Sequence, residues 1–304
     1  MKKTFLLFVL AALLPMGANA YLYYKNYDAY VDGIYYKLSG DEAKVTYEED
    51  YVMPCYSGSV VIPSTITYEG QTYRVTAIDQ EAFYHCTDLT SVTFGDNVTS
   101  IGWRAFSGCT GLTSLVISEG VKSIGYSAFS ACNSLTSVSI PGSVQTVCDE
   151  AFRLCSGLTS VVISEGVKTI DGGAFYRCSN LTTVSIPKSM TLIRDYAFQD
   201  CSNLADVYCY ADSVPKTANN WVFYNSPIAS ATLHVPAGSV EAYRTTSPWS
   251  DFGTIFALKA DDPTGIATMG KEMDEVRFDL QGRKIDKITQ PGIYIGNGQK
   301  ILIK

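Results

Sequence analysis

The chain has 304 residues with a formal net charge of −7, and 46% of its residues are hydrophobic. An acidic surface repels phosphate backbones, and nucleic-acid-binding proteins need basic patches that displace counterions. This composition therefore argues against a nucleic-acid partner. The length alone is typical of about two domains, but the internal repetition described below overrules that estimate.

Residues 1–20 have the pattern of a secretory signal peptide. Lys2 and Lys3 precede an apolar run at residues 5–14, and the small residues at 18–20 match a cleavage site. A membrane span is the alternative, but it needs roughly 20 apolar residues. We expect cleavage after Ala20 and export to the extracellular space or to the cell surface, in association with the outer membrane. No later segment is apolar enough to be a transmembrane span.

Residues 21–82 are expected to form a β-rich N-terminal cap. Tyrosines are dense in residues 21–56, around alternating segments such as residues 33–38. Val60 and Ile62 have the spacing of the repeat described next, and residues 68–73 are inserted after them. We interpret this stretch as a degenerate first repeat that carries a hairpin.

The strongest signal is a repeat with a period of 23 residues in the segment 83–258. Its marker is an Ala-Phe pair, followed three residues later by Cys and three residues after that by Leu. The repeated phenylalanines are Phe83, Phe106, Phe129, Phe152, Phe175 and Phe198. The unit continues as L-x-x-V-x-I and then a second apolar pair. This period and pattern lie within the leucine-rich-repeat range.

A single unit cannot fold alone, because ordering one residue costs about 1 to 2 kcal/mol of backbone entropy. Stacked units bury one another's apolar side chains and pair strands about 4.8 Å apart. We therefore predict an α/β-type repeat solenoid with a parallel β-ladder. Leu233 and Val235 indicate a diverged closing copy, in which Ser226 replaces the repeated cysteine.

The end of the chain is predicted to contain a linker and a small β-module. Residues 259–274 are polar and mixed in composition, as linkers are. Residues 275–304 contain two alternating stretches, each broken by a turn signal, Gln281-Gly282 in the first and Asn297-Gly298 in the second. We expect two hairpins there.

The repeat, in its form Cys132-Asn133-Ser134-Leu135 with Ala151-Phe152, resembles the BspA-like leucine-rich-repeat surface proteins of Bacteroidetes and some other microbes. The resemblance covers roughly residues 21–258. It implies an extracytoplasmic location and, as in some members, adhesion to host matrix proteins or other cells. The tail at residues 278–284 and 291–294 is similar to the C-terminal sorting modules of type IX secretion.

We find no catalytic constellation in the sequence and expect no enzyme activity, cofactor or metal site. The only histidines, His85 and His234, lie far apart in the repeats, whereas a triad or a metal site needs converging side chains. Asp149 and Glu150 are adjacent acids at a repeat turn. We interpret them as solvated.

Six cysteines recur in register, and they are interpreted as a ladder of buried free thiols. In-register side chains point the same way, which leaves Cβ atoms too far apart for the usual disulfide geometry. Export favours disulfides instead, so that alternative stays open. The ladder cysteines are Cys86, Cys109, Cys132, Cys155, Cys178 and Cys201. Cys209 is predicted to pack in the core and Cys148 to be the exposed thiol, while Cys55 has no predicted partner.

Two surfaces are candidates for binding. One is the strand face, formed by the outward residues of the repeat strands. These are Ser91, Thr93, Ser114, Val116, Ser137, Ser139, Ser160, Val162, Thr183, Ser185, Asp206 and Tyr208. The rival is the turn row on the expected convex side, which contains Trp103, Arg104, Tyr126, Arg153, Tyr176, Arg177 and Tyr196. β-Propensity explains the first set equally well, and packing over the turns explains the second.

These observations predict an exported surface protein that binds a protein or a glycan on host or neighbouring cells. Adhesion or protein–protein interaction is the first hypothesis. A glycan-binding helper, in which exposed tyrosines stack on sugars, is the second. An inert structural component of the cell surface is the third.

Overall fold

A computed structural model describes residues 26–47 and 55–258, and the backbone of four strands at residues 277–278, 284–285, 292–296 and 299–303. The predicted signal peptide and the predicted linker lie outside the described residues. Among the described residues, no helix has the length and apolar character needed to cross a bilayer.

The N-terminal cap is a β-meander that joins the solenoid at one edge. Strands β1 (Ala29–Val31), β2 (Ile34–Ser39) and β3 (Glu42–Thr46) pair in antiparallel order. Strand β4 (Gly58–Ile62) begins the first repeat. Strands β5 (Thr65–Tyr68) and β6 (Gln71–Ile78) then form an antiparallel hairpin. The predicted inserted hairpin is confirmed, and β3 pairs with β6 in parallel, which connects the cap to the repeats.

The L-x-x-V-x-I segment of each repeat forms the first parallel ladder, which β4 starts. Alternating side chains point inward, and each pairing advances by one repeat, as in Ser137↔Ser160 and Ser160↔Thr183. The ladder consists of a three-stranded and a six-stranded sheet. Its further strands are β7 (Leu89–Phe94), β9 (Ser114–Val116), β11 (Ser137–Ile140), β13 (Ser160–Ile163), β15 (Thr183–Ile186), β17 (Asp206–Cys209), β19 (Thr232–Val235) and β20 (Thr254–Ala257).

The second apolar pair of each repeat forms a parallel ladder of two-residue strands. It continues from β6 and is again divided into two sheets. The strands are β8 (Ser100–Ile101), β10 (Ser123–Ile124), β12 (Thr146–Val147), β14 (Thr169–Ile170), β16 (Leu192–Ile193) and β18 (Lys216–Thr217). The predicted 23-residue solenoid with a parallel β-ladder is confirmed, and its third side consists of turns rather than helices.

The Ala-Phe turns are joined by a third row of backbone hydrogen bonds. The N–H of Phe129 donates to the carbonyl of Ala151, and the N–H of Phe152 donates to the carbonyl of Ala174, both at 2.8 Å. The residue before each alanine has a positive φ between 50° and 62°. These left-handed residues are Glu81, Arg104, Ser127, Glu150, Gly173 and Tyr196. The turn therefore has one fixed shape, whatever side chain it carries at this position.

The phenylalanine rings stack through the centre of the solenoid. Neighbouring rings from Phe83 to Phe223 are nearly parallel, with centroids 4.6 to 5.7 Å apart. Tyr56 of the cap contacts Phe83 at 4.4 Å. At the other end, the edges of Trp249 and Phe252 meet Phe223. Aromatic rings thus cover both ends of the stack.

The ladder cysteines do more than fill space. The Cys155 thiol donates to the carbonyl of Phe129 at 3.0 Å, and Cys109, Cys132, Cys178 and Cys201 do the same to the Phe carbonyl of the repeat before. Each thiol therefore satisfies a buried acceptor as well as packing as a small apolar group.

Ser226 preserves this bond in the closing repeat, where its hydroxyl donates to the carbonyl of Phe198 at 2.7 Å. The prediction of free thiols is correct for five of the ladder cysteines and wrong for Cys86, which forms a disulfide with Cys55. Cys86 begins the row and pairs with the cap, so the in-register geometry that separates the other thiols does not apply to it.

The C-terminal end departs from the 23-residue period. The 3-10 segments Ala237–Ser239 and Trp249–Asp251 flank helix α1 (Val240–Arg244), which is the single α-helix among the described residues. The closing copy predicted at β19 is not the last one, because β20 pairs with β19 in parallel and ends the ladder.

The C-terminal segment contains β21 (Arg277–Phe278), β22 (Lys284–Ile285), β23 (Gly292–Gly296) and β24 (Gln299–Ile303). Strand β21 pairs with β22 and with β23, and β23 pairs with β24, all in antiparallel order. The two stretches predicted as hairpins thus form one four-stranded sheet. The domain boundaries at residues 82, 258 and 274 remain predictions.

Replacing Phe152 with Ala is expected to lower the free energy of unfolding by about 3 to 5 kcal/mol, because it opens a cavity between the rings of Phe129 and Phe175. Tyr224→Ala is the control, since that ring is 57% exposed, and it should change stability by less than about 0.5 kcal/mol. Chemical denaturation measures both. A loss below about 1 kcal/mol for Phe152→Ala would show that the stack does not hold the repeats together.

Candidate binding surfaces

The strand face is a continuous row of small side chains on the outward side of the first ladder. Cross-strand pairing aligns Ser139 with Val162, Val162 with Ser185, and Ser185 with Tyr208. All the predicted strand-face residues are partly exposed except Val162 and Ser185, which are 5% and 4% exposed. Those two are flanked by neighbours on both sides, so they contribute little area to the surface.

The strand face becomes aromatic at its C-terminal end. The ring of Tyr208 stacks on that of His234 at 4.2 Å, and Phe256 lies 6.5 Å further along with 56% of its surface exposed. The His234 Nε2 atom lies 3.1 Å from the Asp206 Oδ1 atom, which holds the imidazole in place. The predicted strand face omits His234, although it lies between Leu233 and Val235 of the diverged copy, and omits Phe256 because no copy of the repeat is predicted at β20.

The turn row carries exposed rings that also pack against arginines. The guanidinium of Arg104 lies 4.8 Å from the ring centroid of Trp103. Those of Arg153 and Arg177 lie 5.6 and 5.1 Å from that of Tyr176. Trp103, Tyr126 and Tyr196 are the most exposed predicted rings, at 39%, 43% and 38%. Trp221 and Tyr224 are also exposed and extend the row. They were not predicted as turn-row residues because their repeat diverges from the 23-residue pattern.

A cleft of about 350 Å³ interrupts the turn row at Gly172 and Gly173. The two glycines occupy the turn positions at which the other repeats carry side chains. The cleft is lined by Tyr126, Asp149, Glu150, Gly172, Gly173, Tyr176, Tyr196 and Gln199. Three of the predicted turn-row residues thus meet around one concavity.

Glu150 is held in place beside this cleft. Its Oε2 atom accepts hydrogen bonds from the hydroxyls of Tyr126 at 3.0 Å and Ser127 at 3.2 Å, and lies 3.8 Å from the Arg153 Nε atom. The interpretation of Glu150 as a merely solvated acid was therefore wrong. Its neighbour Asp149 is exposed and accepts a hydrogen bond from the backbone N–H of Gly172 at 3.0 Å.

The titratable groups of the described residues form no catalytic arrangement that we can identify. His85 lies in a turn near the cap and His234 on the strand face. No group of three or more His, Cys, Asp or Glu side chains within the described ranges is placed to hold a metal ion. Burial raises the pKa of Asp171, a rise to which Asp149 adds and which the ion pair with Arg194 opposes.

Burial disfavours ionisation of three of the free thiols. It raises the pKa of Cys109 and Cys201 to about 12 and that of Cys209 to about 11, so these groups stay protonated at neutral pH. Cys209 packs in the core, as predicted, and lies 3.2 Å from the hydroxyl of Tyr243. Cys148 is the free cysteine of the described residues that is only partly buried, although desolvation and nearby acids also raise its pKa.

The chain matches one protein family and resembles several solved leucine-rich repeat structures. The model of the BspA type leucine-rich repeat region matches residues 76–205 and 174–243, which together exceed half of the chain. No curated protein sequence matches.

Three solved structures illustrate the related folds. A leucine-rich repeat protein of T. pallidum is 29% identical, with a TM-score of 0.55 over 62% of this chain and 86% of its own. One from Eubacterium ventriosum is 26% identical, with a TM-score of 0.51 over 64% of this chain and 50% of its own. One from Bacteroides capillosus is 33% identical, with a TM-score of 0.40 over 45% of this chain and 97% of its own.

The thiol geometry predicts a graded alkylation pattern. In the native, non-reduced protein Cys148 should react first, while the buried ladder thiols and Cys209 are protected. In denaturant without reductant, seven cysteines should be modified, and reduction should release Cys55 and Cys86. Mass spectrometry of the alkylated peptides gives the count. A disulfide between two adjacent ladder positions would contradict the thiol hydrogen bonds described above.

Proposed function

Because the chain belongs to the BspA-type leucine-rich repeat family, we propose that it is an exported cell-surface protein that binds a partner protein through its strand face. The role is binding rather than catalysis. The partner is a protein on a host cell, in the host matrix or on a neighbouring cell. Adhesion is the consequence we propose for that binding.

The observation that carries the proposal is the aromatic cluster of Tyr208, His234 and Phe256 at the end of the strand face. Binding hot spots are enriched in aromatic side chains that a partner can fully cover. Phe256 is half exposed and belongs to the last strand of the ladder. The rest of the strand face, with its small hydroxyl and valine side chains, allows a partner's surface to approach the ladder closely.

Two features support export. The N-terminal residues match a cleavable signal peptide, and disulfides such as Cys55–Cys86 persist mainly in oxidising compartments. We further propose passage across the outer membrane, on the resemblance of residues 278–284 and 291–294 to the sorting modules of type IX secretion. Residues 279–283 and 286–291 of that tail lie outside the described residues.

The test compares two double variants with the unmodified protein. Tyr208→Ala with Phe256→Ala removes the aromatic cluster, and Trp103→Ala with Tyr224→Ala removes exposed rings from the turn row. Binding to a panel of immobilised host matrix proteins, and adhesion of cells displaying each variant, are measured. The first variant should weaken binding at least about tenfold and the second by less than about twofold.

Thermal unfolding of each variant controls for folding. Equal loss of binding in both double variants, or loss confined to the turn-row variant, would contradict the proposal. Failure of the unmodified protein to bind any of these partners would favour a structural role at the surface.

A further inference from the structure

The cleft at Gly172 and Gly173 is a gap in an otherwise filled row of side chains. The left-handed position before each alanine carries Arg104, Ser127, Glu150, Gly173 and Tyr196 in successive repeats, and Trp221 follows. The rings of Tyr196 and Trp221 stack at 5.5 Å with an interplanar angle of 15°. Trp221 covers one face of Tyr196, and Gly173 supplies no side chain to cover the other.

The space above Gly173 is large enough to accept additional atoms. A Cβ atom added to Gly173 would meet only the Cβ of Tyr176 at 3.6 Å and the Cγ of Glu150 at 3.7 Å, which are ordinary contact distances. Glu150 and Tyr196 are two repeats apart, which is roughly 10 Å along the ladder. A flat ring stacked about 4.5 Å from Tyr196 therefore leaves its far side within hydrogen-bonding reach of Glu150.

The polar groups around the gap are acceptors that are already oriented. Tyr126 and Ser127 hold the Glu150 carboxylate through its Oε2 atom, and the Gly172 N–H holds Asp149 through its Oδ1 atom. Asp149, Glu150 and Gln199 all line the cleft. An uncharged ring with several hydroxyl donors matches this set, because it offers a face to the aromatic ring and hydrogen bonds to the acids.

We propose that this cleft binds one pyranose ring of a glycan, with Tyr196 as the stacking platform and Glu150 and Asp149 as hydrogen-bond acceptors. The ring takes the place of the side chain that Gly173 lacks. A cationic ligand is less favoured at Glu150 because the Arg153 Nε atom already lies 3.8 Å from its Oε2 atom. This site does not depend on the proposed protein contact at the strand face.

The experiment uses the full chain and four methyl pyranosides, those of glucose, galactose, mannose and N-acetylglucosamine. Saturation-transfer NMR titrations detect binding with an expected dissociation constant on the order of 1 mM, as is usual for a single small ring. Gly173→Tyr should fill the gap and weaken binding at least about tenfold, and Tyr196→Ala should do the same by removing the platform. Trp103→Ala, on the same row outside the cleft, should change the affinity by less than about twofold.

Gly173→Tyr is expected to stay folded because Tyr196 already adopts this left-handed conformation one repeat away. Thermal unfolding of this variant and of the unmodified protein shows whether it is folded. The proposal is overturned if none of the four pyranosides binds at concentrations up to about 10 mM. It is equally overturned if Gly173→Tyr retains binding, or if an arginine- or lysine-containing peptide occupies the cleft and no pyranoside does. The strand-face double variant should bind the sugar normally, which separates this site from the proposed protein contact.

Discussion

The structure depends on the stacking of each repeat on the next through the phenylalanine rings. From Phe83 to Phe198 the rings stack at 4.6 to 5.5 Å with one ring every 23 residues, and the last ring, Phe223, stacks at 5.7 Å after a step of 25 residues. The alanine before each ring carries the backbone hydrogen bond that joins the turns, and the thiol after it satisfies the ring residue's carbonyl. The ring stack thus explains the small residue before each ring and the hydrogen-bond donor three residues after it.

The same constraint divides the positions of a repeat into fixed and free ones. Inward residues must match their copies above and below, whereas the left-handed position of the turn tolerates Arg104, Ser127, Glu150 or Tyr196 without a change of backbone. Functional variation can therefore collect in the turns and at the outward strand positions. The two proposed sites, an aromatic cluster for a protein and a cleft for a sugar, lie where the stack places least restriction on side-chain type.

The sequence was sufficient to predict the solenoid, the cap hairpin and the diverged copy at β19, because the repeated residues are those that must be buried. It was not sufficient to predict β20, which ends the ladder. It was not sufficient to predict the Cys55–Cys86 disulfide, which joins segments without shared periodicity. His234 was considered only as a catalytic or metal-binding residue, and Phe256 lies on β20, where the sequence shows no copy of the repeat. The cleft was missed because a glycine pair gives no positive signal, and only the side chains of neighbouring repeats reveal the space it leaves.

The central claim, that the repeats are equivalent layers joined by the ring stack, is tested most directly by deleting residues 129–151. This deletion removes one 23-residue unit and places Ala128 directly before Phe152, so the Ala-Phe pair is rebuilt at the junction. The account predicts a folded, shorter protein that still unfolds in one cooperative transition, because the remaining layers keep their register. Loss of the cooperative transition in a denaturant titration followed by circular dichroism would contradict it.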